Sequence, residues 1–205
     1  MFTLLKKDIY FCSKYIGITV VFCILSPILL VIDGDNLYQL LSFYIPMVAL
    51  GVIIGKICYI EDSDEVKMFL RSLPYKRSHI IICKYLEVLI LNVISILYVS
   101  IVQRILEKSS DFGYILEINL LVGAFFMFYY SIYLFLYFKK NYHTAQNTMY
   151  IVLAIIFVCV FISNRNMISK YDFTNFFNIF TVGVIYLLSL MINYISMNIV
   201  IKGEN

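Results

Sequence analysis

Lys84 and Glu87 stand three residues apart inside an otherwise apolar run, and their types and spacing are the first in this chain that suggest chemistry. On a helix the two share a face and can pair. If the helix begins near His79, Glu87 lies about a turn and a half deeper. A carboxylate set into a membrane-crossing run is by default a candidate for function, facing a bundle interior or a cavity. The alternative is an ion pair near the membrane edge, with Lys84 snorkelling outward, and the shallow depth favours it. A second candidate is the stripe Phe126, Tyr129, Tyr130, Tyr133 and Tyr137, close to helical period. Tyr129 and Tyr133, with Glu87, are candidates to line a path for an amphipathic substrate. Such a stripe also reads as plain packing or lipid contact.

Other chemistries lack their residues. There is no HExxH, no GxSxG, and no run of paired acids and histidines within the apolar segments. His79 and His143 fall at segment ends and read as solvated side chains. Gly51-Val-Ile-Ile-Gly55-Lys56 has three residues where a phosphate loop needs four between its glycines, and Ile57 replaces Ser/Thr. It reads instead as a small-residue ridge that lets helices approach within the chain. Five cysteines with no CxxC indicate neither a disulfide framework nor a zinc site. No residue is assigned a catalytic, cofactor-binding or metal role. If ATP supplies energy, another subunit must bind it.

The elements that position these residues follow from composition. The chain has 205 residues, 62% hydrophobic and 14% charged, with a mean hydropathy of +0.88. A soluble domain needs more charge to cover its surface. At ~20 apolar residues per span, there is room for several spans and no separate soluble domain. We expect an all-α membrane protein, a single transmembrane domain over 1–205. Its six spans lie at about 15–32, 37–58, 80–102, 118–138, 144–164 and 176–201. The run 173–201 exceeds one bilayer thickness, so its first part is expected as an interfacial or re-entrant turn. Residues 1–14 set Leu4, Leu5, Ile9 and Cys12 against Lys6, Lys7, Asp8 and Lys14. That is either an amphipathic helix in the headgroup layer or a basic leader that fixes orientation. No cleavage motif follows, so the first span is expected to remain as an anchor.

Six spans put both termini on one side. Lys6, Lys7, Lys14, Lys56, Lys67, Arg71, Lys76, Arg77, Lys84, Lys139, Lys140 and Lys202 fall on that side, and only Arg104, Lys108, Arg165 and Lys170 on the other. The positive-inside rule then puts both termini and the 61–84 segment in the cytoplasm. The small net charge of +3 carries no nucleic-acid signal. Abundant Ile, Tyr, Asn and Lys, with no Trp, points to an AT-rich bacterial genome and so to a bacterial plasma membrane.

The strongly polar stretch Glu61–Lys84 interrupts this pattern. Asp62 is expected as an N-cap with Glu65 at the third helical position. Asp62, Asp64 and Glu65 complement the helix N-terminus and Arg71 its C-terminus. Val66, Phe69, Leu70 and Leu73 form an apolar stripe, and Pro74 ends the element. The result is a helix of about three turns over 63–72. It either packs on its own bundle or docks in a partner's groove.

The order of acids, short helix, Ser72-Leu73-Pro74, Tyr75-Lys76-Arg77 and Ile80-x-x-x-Lys84-Tyr85 resembles the small ABC type 2 permeases of bacteria. The motif covers residues 61–85 and the span order covers the whole chain. The resemblance implies a permease without its own ATPase, hence no enzyme by itself. It pairs with a separate ATP-binding-cassette subunit, which holds ATP and magnesium, and with a second permease, identical or a paralogue. Residues 1–14 become an elbow helix and 61–72 a coupling helix. Glu61, Asp62, Asp64, Glu65, Phe69 and Arg71 become the ATPase-docking residues. The expected function is export of a hydrophobic or amphipathic substrate, with an antimicrobial or secreted peptide as first expectation. The competing reading is a membrane scaffold or immunity protein acting without an ATPase.

Overall fold

The computed structural model describes residues 2–33, 40–72, 76–106, 112–165 and 178–203, with side chains throughout except at 2, 30–33, 71 and 155–165. The regular structure there is helical: α1 (Phe2–Phe11), α2 (Ser13–Asp33), α3 (Leu41–Glu61), α4 (Asp64–Ser72), α5 (Arg77–Leu106), α6 (Phe112–Lys139), α7 (Tyr142–Arg165) and α8 (Ile179–Lys202). Four helices, α3, α5, α6 and α8, are each long and apolar enough to cross a bilayer. Helices α1 and α2, bent 71° apart, make a fifth candidate if taken as one broken span. The described residues thus support four to five of the six expected spans. The turn expected at the start of 173–201 falls mainly on residues outside the described set.

Helix α6 packs against α3, α5, α7 and α8, and α5 against α1, α3, α6 and α8, so these two form the centre of the bundle. Leu50 and Ile54 of α3, Tyr85 and Val88 of α5, and Met127 and Leu134 of α6 are buried together. Apolar contact alone gives little drive inside lipid, so close backbone approach and interhelical hydrogen bonds matter more. Gly123 supplies the approach: a Cβ there would overlap the Ile96 side chain and stand 3.3 Å from Asn92 Oδ1. Asn92 Nδ2 donates to the Gly123 carbonyl at 3.1 Å, and Tyr186 Oη donates to Asn92 Oδ1 at 3.1 Å. Further along, Asn193 Nδ2 donates to Ser131 Oγ at 2.9 Å, tying α8 to α6.

Two boundaries move from where the sequence pattern puts them. Gln103, just past the expected end of the 80–102 span, is buried within α5. There it donates to Ser42 Oγ and accepts from Asn119 Nδ2, both at 2.9 Å. A polar residue satisfied by other polar residues is compatible with a span interior, and average polarity along the chain cannot show that. Helix α3 runs to Glu61 rather than stopping near Cys58, which carries the first acid of the polar segment into the bundle's edge.

Candidate functional site

The polar segment begins at the C-terminus of α3. Asp62 caps that helix, its N–H bonding to the carbonyls of Cys58 and Ile60. Its carboxylate reaches forward to Lys67 Nζ at 2.8 Å. The N-cap of α4 is Ser63, whose carbonyl accepts from Lys67 N at 2.9 Å. The expected Asp62 capping box therefore does not form, because α3 continues far enough to claim Asp62 as its own cap. Asp64 and Glu65 occupy the first turn of α4, as the helix dipole favours. Val66 and Leu70 are half-buried, whereas Met68 and Phe69 are 65% and 51% exposed. The apolar stripe is thus divided. Val66 and Leu70 hold the helix down, and Asp64, Glu65, Met68 and Phe69 form an exposed acidic and apolar face. The side chain of Arg71 and residues 73–75 lie outside the described set.

Glu61 does not share that outward face. It is buried and accepts from Lys7 Nζ at 2.6 Å and Lys84 Nζ at 3.0 Å. Lys84 Nζ also donates to Asp8 Oδ2 at 2.7 Å and stands 3.6 Å from Glu87 Oε2, while Lys7 lies 3.1 Å from Asp8 Oδ1. Three helices that are distant in sequence, α1, α3 and α5, therefore meet at one buried ammonium. Lys84 is 1% exposed and does not snorkel, because its ammonium finds the carboxylates of Asp8 and Glu61 inside the bundle. The expected Lys84–Glu87 pair is the longest of its contacts, and Glu87 Oε2 has no hydrogen-bond partner among the described residues.

Asp8 enters this cluster because α1 buries Leu4 and Asp8, one turn apart, with Cys12 buried just past its end, and leaves Ile9 and Tyr10 exposed. The sequence pattern of residues 1–14 puts Asp8 on the polar face; the ion pairs reverse that. Burial opposes the Asp8 charge, but the adjacent Lys84 and Lys7 ammoniums outweigh it and hold the carboxyl below its ordinary range. Asp8, Cys83 and Glu87 present ligand atoms within 4.8 Å of one another. The Lys84 ammonium already lies against two of the three, so its charge makes this a poor place for a metal ion.

The candidate path residues separate. Glu87 belongs to the charge cluster. Tyr129 and Tyr133 line a cleft of about 460 Å³ between α3, α6 and α7, together with Gly51, Gly55 and Lys56. The two glycines do not bring helices together there. A Cβ at Gly51 would meet only Tyr130 Oη at 3.4 Å, and one at Gly55 would meet nothing within 4 Å. Both open onto the cleft, and the close-approach glycine is Gly123. Lys7 and Asp8 are the site residues that sequence reasoning missed; the available signal was a lone acid among the lysines of an N-terminal helix.

Residues 3–203 match a family model described as ABC-2 family transporter protein. No curated protein and no solved structure matches the chain.

Proposed function

From the fact that this chain belongs to the ABC-2 transporter family, we propose how it works as the permease subunit of an ABC transporter. The full architecture in this reading is six spans in a bacterial plasma membrane with both termini in the cytoplasm. Helix α1 is the elbow helix and α4 the coupling helix. Asp62, Asp64, Glu65, Phe69 and Arg71 serve as docking residues on a groove of the ATP-binding-cassette subunit. Glu61 acts from beneath as the anchor of α4 rather than as a contact. Two permeases, identical or paralogous, form the path, and ATP closure of the partners moves the α4 helices and rocks the bundles. The substrate is hydrophobic or amphipathic, with an antimicrobial or secreted peptide as the specific case.

The observation that carries this reading is the exposed face of α4. A nine-residue helix with Met68 and Phe69 turned outward beside Asp64 and Glu65 has the amphipathic character of a groove-docking segment. Co-purification with its ATP-binding-cassette partner tests this. Phe69→Ala is expected to abolish association while the protein still inserts, and Arg71→Glu to weaken it. Undiminished association in both variants removes the coupling-helix assignment. Stimulation of the reconstituted complex's ATPase by amphipathic peptides tests the cargo, and absence of stimulation by any peptide removes that part.

A further inference from the structure

The cleft between α3, α6 and α7 has the size of a small-molecule site, ~300–1,000 Å³. Its wall is aromatic. Phe126, Tyr130 and Tyr133 are buried, and adjacent rings meet edge-on, Tyr129 with Tyr130 at 5.2 Å and Tyr130 with Tyr133 at 5.9 Å. Its floor is open, because Gly51 and Gly55 place no side chain there. One end is charged. Lys56 Nζ stands 5.2 Å from the centre of the Tyr15 ring and 5.0 Å from that of Tyr59, and among the described residues it has no carboxylate within ion-pair distance. Ring faces attract a cation without neutralising it, so the half-buried Lys56 keeps its charge available to an anion. The contrast with Lys84, held by carboxylates of three helices, is direct.

A second polar group also awaits a partner. Tyr133 Oη is buried, with the residue 5% exposed, and has no hydrogen-bond partner among the described residues. Tyr133 lines the same cleft as Lys56. An apolar trough with an uncompensated cation at one end and an idle hydroxyl in its wall has the polarity of a receptor for a singly headed amphiphile.

We propose that this cleft binds an apolar chain ending in a carboxylate, with the carboxylate at Lys56 and the chain along Phe126 and Tyr129. As a binding site this stands on geometry; that the bound molecule is cargo rests on the permease reading above. Two sources present this chemistry, a long-chain fatty acid and the free C-terminus of an apolar peptide.

The test uses the purified full chain in nanodiscs of zwitterionic phosphatidylcholine, titrated with dansyl-undecanoic acid. Saturable fluorescence enhancement is expected. Binding should weaken by about tenfold or more for the methyl ester of the probe, and likewise for Lys56→Gln. Gly55→Phe, which fills open space, should abolish it, and Tyr133→Phe should weaken it several-fold. Displacement by an apolar pentapeptide with a free C-terminus, but not by its amide, supports the site with a peptide as source. Displacement by long-chain fatty acids alone supports it with a lipid as source. Equal binding of acid and ester, or full binding by folded Gly55→Phe, overturns the proposal. Should Gly55→Phe not fold, a diazirine fatty acid on the unaltered protein decides: adducts on the cleft walls support the site, and adducts confined to the exposed faces of α2 or α8 overturn it. No ATPase is present in these measurements, so loss of ATPase association and loss of amphiphile binding are separate failures.

Discussion

Replacing Lys84 with methionine removes the central ammonium of the buried cluster while keeping a long apolar side chain in place. The ammonium lies 2.7 Å from Asp8, 3.0 Å from Glu61 and 3.6 Å from Glu87. At an effective dielectric of ~20, each of the two shorter contacts is worth about 6 kcal/mol before desolvation is counted. Desolvation cancels much of that in the intact pair. Removing one partner, however, leaves three acids facing Lys7 alone, and breaking a buried pair this way costs about 3–5 kcal/mol. An exposed pair would cost ~0–1 kcal/mol. Cys12, Cys58 and Cys83 are free and buried, so a thiol-reactive fluorescent dye reports opening of this region on heating in detergent. At about 2–4 °C per kcal/mol for a chain of this size, Lys84→Met should lower the melting midpoint by roughly 6–20 °C. Lys67→Met is the control: its partner is Asp62 and its side chain is 41% exposed, so its midpoint should hardly move. Adding Asp8→Asn to Lys84→Met should recover part of the loss, because the two side chains are coupled. A Lys84→Met midpoint within about 2 °C of the unaltered protein would refute the claim that the cluster holds these helices together.

Acidification should act through Asp8. Its carboxyl is held below the ordinary range in the folded protein, so its contribution is complete above that range and is lost as pH falls through the folded value. Helix melts by circular dichroism should show a midpoint that drops in acid, with a smaller drop in Asp8→Asn; equal drops would remove Asp8 as a contributor. Gly123→Leu should destabilise strongly because even a Cβ overlaps Ile96, whereas Gly55→Ala should be neutral; similar midpoints for both would contradict the helix spacing. Asn119→Leu deletes hydrogen bonds to Ser100 and Gln103, yet should cost only about 1.2 kcal/mol, twice the mean of about 0.6 kcal/mol for a single interhelical bond in membranes. A loss comparable to that of Lys84→Met would put polar bridges and not the ion cluster in charge of stability. Glu61→Gln should retain the ATPase subunit, since the outer face of α4 is untouched, but reduce substrate-stimulated ATPase activity in proteoliposomes. Full stimulation would show that α4 moves the bundle without this anchor.

Much of the fold was legible because the elements are long and the solvent imposes one rule, that polar backbone be satisfied within helices. The helical course of α2, α3, α5, α6 and α8 follows from apolar run length. The interior polar residues did not follow. Gln103 reads as a connector until Ser42 and Asn119 are seen to satisfy it, and Asp8 reads as surface until Lys84 arrives from 76 positions away. A local pattern reports only what neighbours in sequence contribute, and both residues are stabilised by partners on other helices. The same limit divided the α4 stripe, where periodicity groups Val66, Leu70 and Phe69, and only packing shows that the first two face in. It also misplaced Gly51 and Gly55, since spacing suits a helix contact or a cleft wall equally well.

The charge cluster also bears on how a push on α4 would travel. Only Asp62 and Ser63 separate Glu61 from α4, and both are fixed, Asp62 by capping α3 and Ser63 by starting α4. Behind α4 lies a space of about 370 Å³ bordered by Leu70, Ile80, Tyr137 and Phe138. The helix is therefore tethered at its start by ion pairs and along its inner side only by the half-buried Val66 and Leu70. Force applied at Met68 or Phe69 would concentrate at the tether, where Glu61 is bonded to Lys7 of α1 and to Lys84 of α5. Buried ion pairs suit this task better than apolar contact, because they resist sliding: a shift of an ångström strands a charge in low dielectric. Apolar surfaces of similar area would slip past one another with little loss. Ion pairing at this corner thus ties α1, the end of α3 and the start of α5 to one another.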